Sequence, residues 1–389
     1  MNALDAADPL ARYRDLFIAD PDVVAYLDGN SLGRPLRNSV TRVAGFIEQQ
    51  WGGRLIRGWD EGWFEQGERI GDDVGRVCLG AAAGQVSIGD STTVLLYKLA
   101  RAAIAARPGR TELVIDRDNF PTDRYVLEGI AAECGLTLRW IEPGDVTVDR
   151  IPLSEDTAVV VLSHVAYRSG YLADVAGITA AVHEVGALVV WDLCHSVGVV
   201  PTSLDEWGVD LAVGCTYKYL NGGPGSPAFA YVRADLQSQL RQPIQGWLGS
   251  AAPFEMGQGY EPAPGIRGFL SGTPPVIGML AMRDMIALLD EVGIPAARQK
   301  SVALTSYAID LVDELLPGVA LSTPRDAARR GGHVTIDHPS FAAMMPALWR
   351  QGVIPDFRRP TGIRLGLSPL STSFAEVEVG VRAIAALLD

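Results

Sequence analysis

Residues 187–225, ALVVWDLCHSVGVVPTSLDEWGVDLAVGCTYKYLNGGPG, decide how this chain folds. The runs ALVVWDL and LAVGCT are short, apolar and bounded by turn residues, the pattern of strands buried on both faces of a parallel sheet. The first ends near Asp192, and the second leads through Tyr217 to Lys218 before a glycine-rich loop. Only three lysines, Lys98, Lys218 and Lys300, stand beside thirty arginines. Position alone favours a strand-end lysine with its amine in water. Asp192, 26 residues upstream, turns the reading. Lysine can lose its proton and attack a carbonyl, which arginine cannot. An acid and an amine at neighbouring strand ends form the arrangement that holds pyridoxal 5'-phosphate (PLP): the lysine makes the Schiff base, and the acid keeps the pyridine nitrogen protonated. His195, one helical turn past Asp192, is placed to stack on or orient the ring.

Outward from this stretch, ELVIDR, TLRWIE, AVVVLSHV and PAFAYV read as further strands, alternating with amphipathic helices. One helix is predicted between AVVVLSHV and ALVVWDL, capped by Asp174, with Val175, Ile178, Val182 and Val185 on one face and Gly186 ending it. The fold class is α/β, a mostly parallel sheet with helices on both faces. After residue 291 the texture changes to a helix at 296–316, strand-like HVTIDH, a helix near 340–351, strand-like GIRLGLSP and a final helix. That predicts a large domain at 36–290 and a smaller α+β domain at 291–389 joined by residues 1–35. PRDAARRGG (324–332) reads as a surface loop.

With 389 residues, 48% of them hydrophobic, the chain can bury a large core. A formal charge of −13 argues against nucleic acid or an anionic membrane as partner. No apolar stretch approaches the roughly 20 residues that span a bilayer. The opening MNALDAADPLARYRD resembles neither a secretory signal nor a transit peptide, so a cytoplasmic protein is expected. Cys78, Cys134, Cys194 and Cys215 lack paired spacing, which fits reduced thiols, and the scattered histidines predict no metal site.

Two further stretches carry candidate chemistry. GDSTTVLLYKLARAAI (89–104) places Ser91, Thr92 and Thr93 before a helix-forming run, either as simple caps or as a phosphate seat. DNFPTDRYV (118–126) places Phe120 and Asp123 after a strand, either as a turn capped by Thr122 or as a ring-stacking aromatic and an acid.

In order along the chain, YLDGNSLG (26–33), LIRGWDEGW (55–63), GDSTTV, DNFPTD, SHVAYRSG (163–170), WDLCHSVG, GCTYKYLNGGPG, GWLG (246–249), SGTPP (271–275) and GIRLGLSPL (362–370) resemble the kynureninases, PLP enzymes of the aspartate aminotransferase fold, fold type I, with a seven-stranded-type sheet. The resemblance covers nearly the whole chain. It implies that Thr92 and Thr93 hold the phosphate, Phe120 stacks on the pyridine, and Asp123 and Asp192 serve the ring. It further makes Lys218 the Schiff-base lysine, with Tyr217 beside the phosphate taking part in proton transfer. Trp247 and Thr273 are expected to reach the phosphate of a neighbouring subunit, which implies a homodimer with shared active sites. Arg364 is expected to clamp the substrate carboxylate, with Trp59, Gly272 and Thr273 around the aromatic end and Asn30 and Ser31 lining the cleft.

The implied reaction is hydrolysis of L-kynurenine, or a ring-substituted relative, to an anthranilate and L-alanine, as in tryptophan catabolism and the kynurenine route to NAD. Specialised biosynthesis stays open as the setting. Ala166 stands where relatives usually carry Asn, and Cys194 where Ala is common, so the preferred ring substituents stay open too. An aminotransferase needs the same lysine and acid and remains an alternative. A cysteine desulfurase-like lyase with persulfide chemistry needs a cysteine on a loop well after the lysine, and none follows Cys215.

Overall fold

The computed structural model describes residues 3–144 and 146–388. The first strand, β1 (Ala25–Leu27), belongs to a five-stranded sheet completed only at the far end of the chain. Seven strands follow: β2 (Val86–Gly89), β3 (Glu112–Asp116), β4 (Thr137–Ile141), β5 (Thr157–Ser163), β6 (Leu188–Asp192), β7 (Leu211–Gly214) and β8 (Ala228–Val232). They form one sheet in the order β2-β8-β7-β6-β5-β3-β4. Only β8 runs against its neighbours β2 and β7; the other pairs are parallel.

The valine runs explain the centre of this sheet. Along β5, Val160 and Leu162 enter one core with Val189 and Trp191 of β6, while Val159 and Val161 enter another with Val190. Alternate side chains thus meet apolar layers on both faces, the condition for a parallel sheet. At the edge, β4 instead alternates exposed Thr137 and Arg139 with half-buried Leu138 and Trp140, which protects an unpaired strand edge. All six stretches read as strands from the sequence are strands. The predicted helix is Val175–Glu184, where Asp174 Oδ1 accepts from the Gly177 amide at 2.9 Å and Ile178 and Val182 are buried.

The second sheet adds β9 (Ala320–Leu321), β10 (His333–Asp337), β11 (Val353–Arg358) and β12 (Gly362–Gly366), in the order β1-β11-β12-β10-β9. β1 pairs in parallel with β11, so part of the first 35 residues joins this sheet. Helices Ile294–Leu315, Phe341–Arg350 and Phe374–Leu388 share a third apolar core with it. One expectation is corrected. Residues 324–332 form a loop, but not wholly a surface one: Arg330 is buried, its Nε donating to Thr305 Oγ1 at 3.1 Å and Nη2 to Ser306 Oγ at 2.6 Å. Hydroxyls of the long helix satisfy this guanidinium, which is what allows its burial.

The parallel strands end together on one edge of the large sheet, where open α/β sheets bind ligands. The turn after β1 reaches that edge. The Gly33 amide donates to the Tyr217 carbonyl at 2.9 Å, and a Cβ on Gly33 would lie 2.4 Å from the Lys218 carbonyl oxygen. Only glycine permits so close an approach. Gly366 at the end of β12 plays the same part, because a side chain there would collide with Asn30.

Candidate active site

A cavity of about 500 Å³ opens at this edge, lined among others by Thr92, Phe120, Asp123, Asp192, Tyr217 and Lys218. Asp192 ends β6 and is held there: its Oδ1 accepts from the Cys194 amide at 2.7 Å, and its Oδ2 from Ser163 Oγ at 3.4 Å. Ser163 Oγ also donates to Asn119 Oδ1 at 2.9 Å, and the same oxygen accepts from the Phe120 amide at 2.7 Å. Asn119 and Ser163 were not singled out from the sequence, although both lie in or beside quoted stretches; their work is to fix Phe120 and Asp192.

Asp123 enters from the first turn of helix Pro121–Cys134 and is almost wholly buried, its Oδ2 without a hydrogen-bond partner among the described residues. Burial first, and the neighbouring Asp192 carboxylate second, hold the Asp123 carboxyl well above the ordinary range. Two carboxyl groups side by side cannot both ionise cheaply, so Asp123 keeps its proton. A protonated heteroaromatic N–H presented to this pair supplies the positive charge and the donor that the pair lacks.

Lys218 is 9% exposed, and its Nζ lies 3.0 Å from His195 Nε2. Burial first, and the Lys218 charge second, push His195 well below its ordinary range, so it is neutral. The Lys218 amine stands 5.9 Å from the centre of the Phe120 ring and 6.0 Å from that of Tyr217. Burial pushes the Tyr217 phenol upward, so it holds its proton. The other end of the cavity meets helix Thr92–Ala105, whose N-cap Ser91 accepts from the Val94 amide at 3.4 Å. Ser91 is therefore a cap, and Thr92 and Thr93 face the cavity at a helix N-terminus, a setting suited to a phosphate. The residues present fit PLP: an amine for the aldehyde, acids for the ring nitrogen, an aromatic for the ring face and a helix start for the phosphate.

Cys194 also lines the cavity. Its Sγ accepts from the Cys215 amide at 3.2 Å and lies 3.9 Å from Thr92 Oγ1, so the residue fills space between the strand end and the phosphate seat.

Not every candidate meets in this cavity. Thr273 lines it within its own chain, since the segment after Ser271 runs back beside Ser226 and Pro227. Trp247 instead packs edge-on against Trp59, ring centres 6.2 Å apart, in an aromatic cluster with Trp63, Phe64 and Phe254. Gly272 is exposed, with nothing near the place a side chain would take. Arg364 is fully buried on β12. Its Nη1 donates to the Tyr167 carbonyl at 2.7 Å and its Nη2 to Ser31 Oγ at 2.6 Å. With the Asn30 amide turned so that its oxygen faces Arg364 Nε, that contact is 3.0 Å. Arg364 Nη2 also lies 2.7 Å from Asp356 Oδ2, an acid that sequence reading passed over. The structure thus brings Arg364, Asn30 and Ser31 together in one cluster.

The comparisons agree with one another. The family model described as the Kynureninase C-terminal domain matches residues 297–384. The kynureninase of Pseudomonas fluorescens is 41% identical over 398 residues, covering 100% of this chain and 94% of the relative. The kynureninase of Burkholderia pseudomallei (strain 1106a) is 42% identical over 397 residues, with the same coverage. Among solved structures, a C-DES mutant with glycine covalently linked to its PLP cofactor superposes with a TM-score of 0.80 at 15% identity, covering 95% of this chain and 99% of that one. A cysteine desulfurase from Thermococcus onnurineus NA1 gives 0.78 at 18% identity, covering 97% of each chain. At such identities these two show the fold alone.

Proposed function

The chain belongs to the kynureninase family, and from that premise we propose how its residues hydrolyse L-kynurenine, or a ring-substituted kynurenine, to an anthranilate and L-alanine with PLP as cofactor. The observation that carries the reading is the lining of one cavity by Lys218, Asp192 and Asp123, where among the described residues the amine pairs with no carboxylate and the acids with no cation.

When bound, PLP supplies an electron sink for negative charge developing at the α- and β-carbons of the amino acid. Lys218 would hold the cofactor through its aldehyde. Once free, its Nζ would take the α-proton as general base and could give a proton back as general acid. His195, neutral and 3.0 Å away, steadies the amine without adding a charge. Asp192, fixed by the Cys194 amide and Ser163, holds the ring nitrogen in its protonated form, with Asp123 behind it. Phe120 fixes the ring plane, and Thr92 and Thr93 seat the phosphate. Water adds to the γ-carbonyl, the bond between the β- and γ-carbons breaks, and the phenol of Tyr217 donates the proton to the departing alanine fragment. Arg364, with Asn30 and Ser31, receives the substrate carboxylate.

The working form is a homodimer. Trp51, Leu55 and Ile56 stand exposed, Ile56 at 76%, beside the cluster of Trp59, Trp63 and Trp247. A second copy covering this apolar face would bring Trp247 towards its own phosphate seat. Residues 36–290 form the cofactor-binding domain in this reading, and 291–389 with 1–35 the smaller one. No helix among the described residues is long and apolar enough to cross a membrane, and the four free thiols suit the cytoplasm.

The test is direct. Purified protein given PLP and L-kynurenine releases fluorescent anthranilate with an equal amount of alanine. Keto-acid-dependent amino transfer without anthranilate would establish the aminotransferase reading instead.

A further inference from the structure

Strands β11 and β12 carry one arginine each, Arg358 and Arg364, and the geometry assigns them different work. Arg364 is fully buried, its N–H groups directed at Asn30, Ser31 and the Tyr167 carbonyl, with Asp356 Oδ2 close by. Arg358, four residues before the start of β12, retains 30% side-chain exposure. Its guanidinium carbon lies 5.9 Å from the centre of the Tyr167 ring. Tyr167 in turn meets Phe120 edge-on at 5.3 Å, and Phe120 lines the cavity. Arg358 therefore stands at the Phe120 side of the cavity, one ring removed, and its Nη2 is 3.5 Å from the same Ser31 Oγ that Arg364 holds.

Asp356 explains why both cations rest here. Its Oδ2 is 2.7 Å from Arg364 Nη2 and 2.7 Å from Arg358 Nε. Yet neither N–H points along a good hydrogen-bond direction, and both Asp356 Oδ2 and Arg358 Nε are left without a bonded partner. One carboxylate oxygen thus straddles two planar forks and satisfies neither. Arginine forks bind best when two N–H groups meet two carboxylate oxygens in one plane. The charge of both arginines also helps to keep His195, beside Lys218, neutral, after burial and Lys218.

We propose that Arg358 is a second recognition residue for the α-carboxylate of the substrate, binding it together with Arg364 while Asp356 gives up its place between the two guanidinia. This rests on the reading of the cavity as a PLP site that accepts an amino acid. Arg358 is the cation of the pair with an open face, so it meets the carboxylate first, and Arg364 supplies the buried anchor.

The experiment uses the PLP-loaded protein and two probes, L-alanine and L-alaninamide, which differ in the carboxylate alone; binding is read from the absorption of the bound cofactor. Wild type should prefer alanine, and Arg358→Gln should cut that preference by about tenfold or more, the size of a lost charge-assisted contact. Arg358→Lys should restore part of it, and PLP affinity should stay at the wild-type value in both. An unchanged preference in a folded Arg358→Gln protein overturns the proposal, as does a loss of PLP binding equal to the loss of alanine binding. Should wild type prefer alanine yet release no anthranilate from kynurenine, the proposed reaction fails and the carboxylate assignment stands.

Discussion

Lys300 and Lys218 are both buried, at 6% and 9% exposure, and their surroundings differ in one respect. Lys300 is paired with the carboxylate of Asp8 and sits 3.9 Å from the centre of the Phe374 ring. Nearby, Asp5 accepts from the Phe374 and Ala375 amides at 3.0 and 2.9 Å, so the whole region fastens the first residues to the last helix. Lys98 is of the same kind, 2.5 Å from Asp90. Among the described residues Lys218 pairs with no carboxylate and meets a neutral imidazole, while Asp192 and Asp123, which pair with no cation, line the same cavity. A buried lysine that serves the fold brings its own anion. One that lacks an anion, across a cavity from acids that lack a cation, is set up for a guest carrying the complementary groups.

Substituting the two lysines puts this contrast under the greatest strain. Lys218→Ala should lower anthranilate release by about a thousandfold or more while the melting temperature stays near wild type, because covalent anchoring and the proton shuttle go together. If activity survived, the contrast would be empty. Lys300→Met should do the opposite, leaving Asp8 buried and unpaired at a cost of about 3–5 kcal/mol in urea unfolding, with turnover per folded molecule retained. Asp192→Asn should lower kcat by about a hundredfold, since a neutral amide no longer holds the ring nitrogen protonated; an unchanged kcat would move that role to Asp123.

A buried acid on the Lys218 side also predicts a pH dependence. Asp116, at the end of β3, is raised to about 7, by burial first and Asp118 second. Because this folded value lies above the unfolded one, the folded protein holds a proton that the unfolded chain releases, and stability falls as pH rises from about 4 to 7. Asp116→Asn should remove that fall, gaining about 1–3 kcal/mol over wild type at pH 8 and little at pH 4 in parallel unfolding curves. The smallest effect is expected from Cys194→Ala, which loses one sulfur contact each with Cys215 and Thr92: kcat/KM for kynurenine should change by about threefold or less.

What could be read from residues alone follows the same physical line. The runs around Val160 and Val190 were legible because both faces of those strands are apolar, so the buried condition is written in every position. VSIG at 86–89 is too short to announce itself, and VIPDFR at 353–358 carries Pro355, which argues against a strand although β11 pairs on both sides. At the site, Lys218 and Asp192 were legible because strand ends put side chains where ligands bind. Asp356 and Arg358 were not: Arg358 and Arg364 share one Asp356 oxygen through a hairpin register invisible to composition. The same holds for Arg330, whose buried partners lie a helix away.

The contact between Ser31 and Arg364 joins residues 333 positions apart, through a first strand that must wait for the eleventh before it has a neighbour. On a ribosome, which releases the chain from its amino end at about 5–20 residues per second, the large sheet is fully emerged long before the hairpin that receives its opening segment. Until that hairpin emerges, Ala25–Leu27 has no strand partner. A message truncated short of residue 364 yields a product that keeps Lys218 and Asp192 but lacks the arginine proposed to hold the substrate carboxylate.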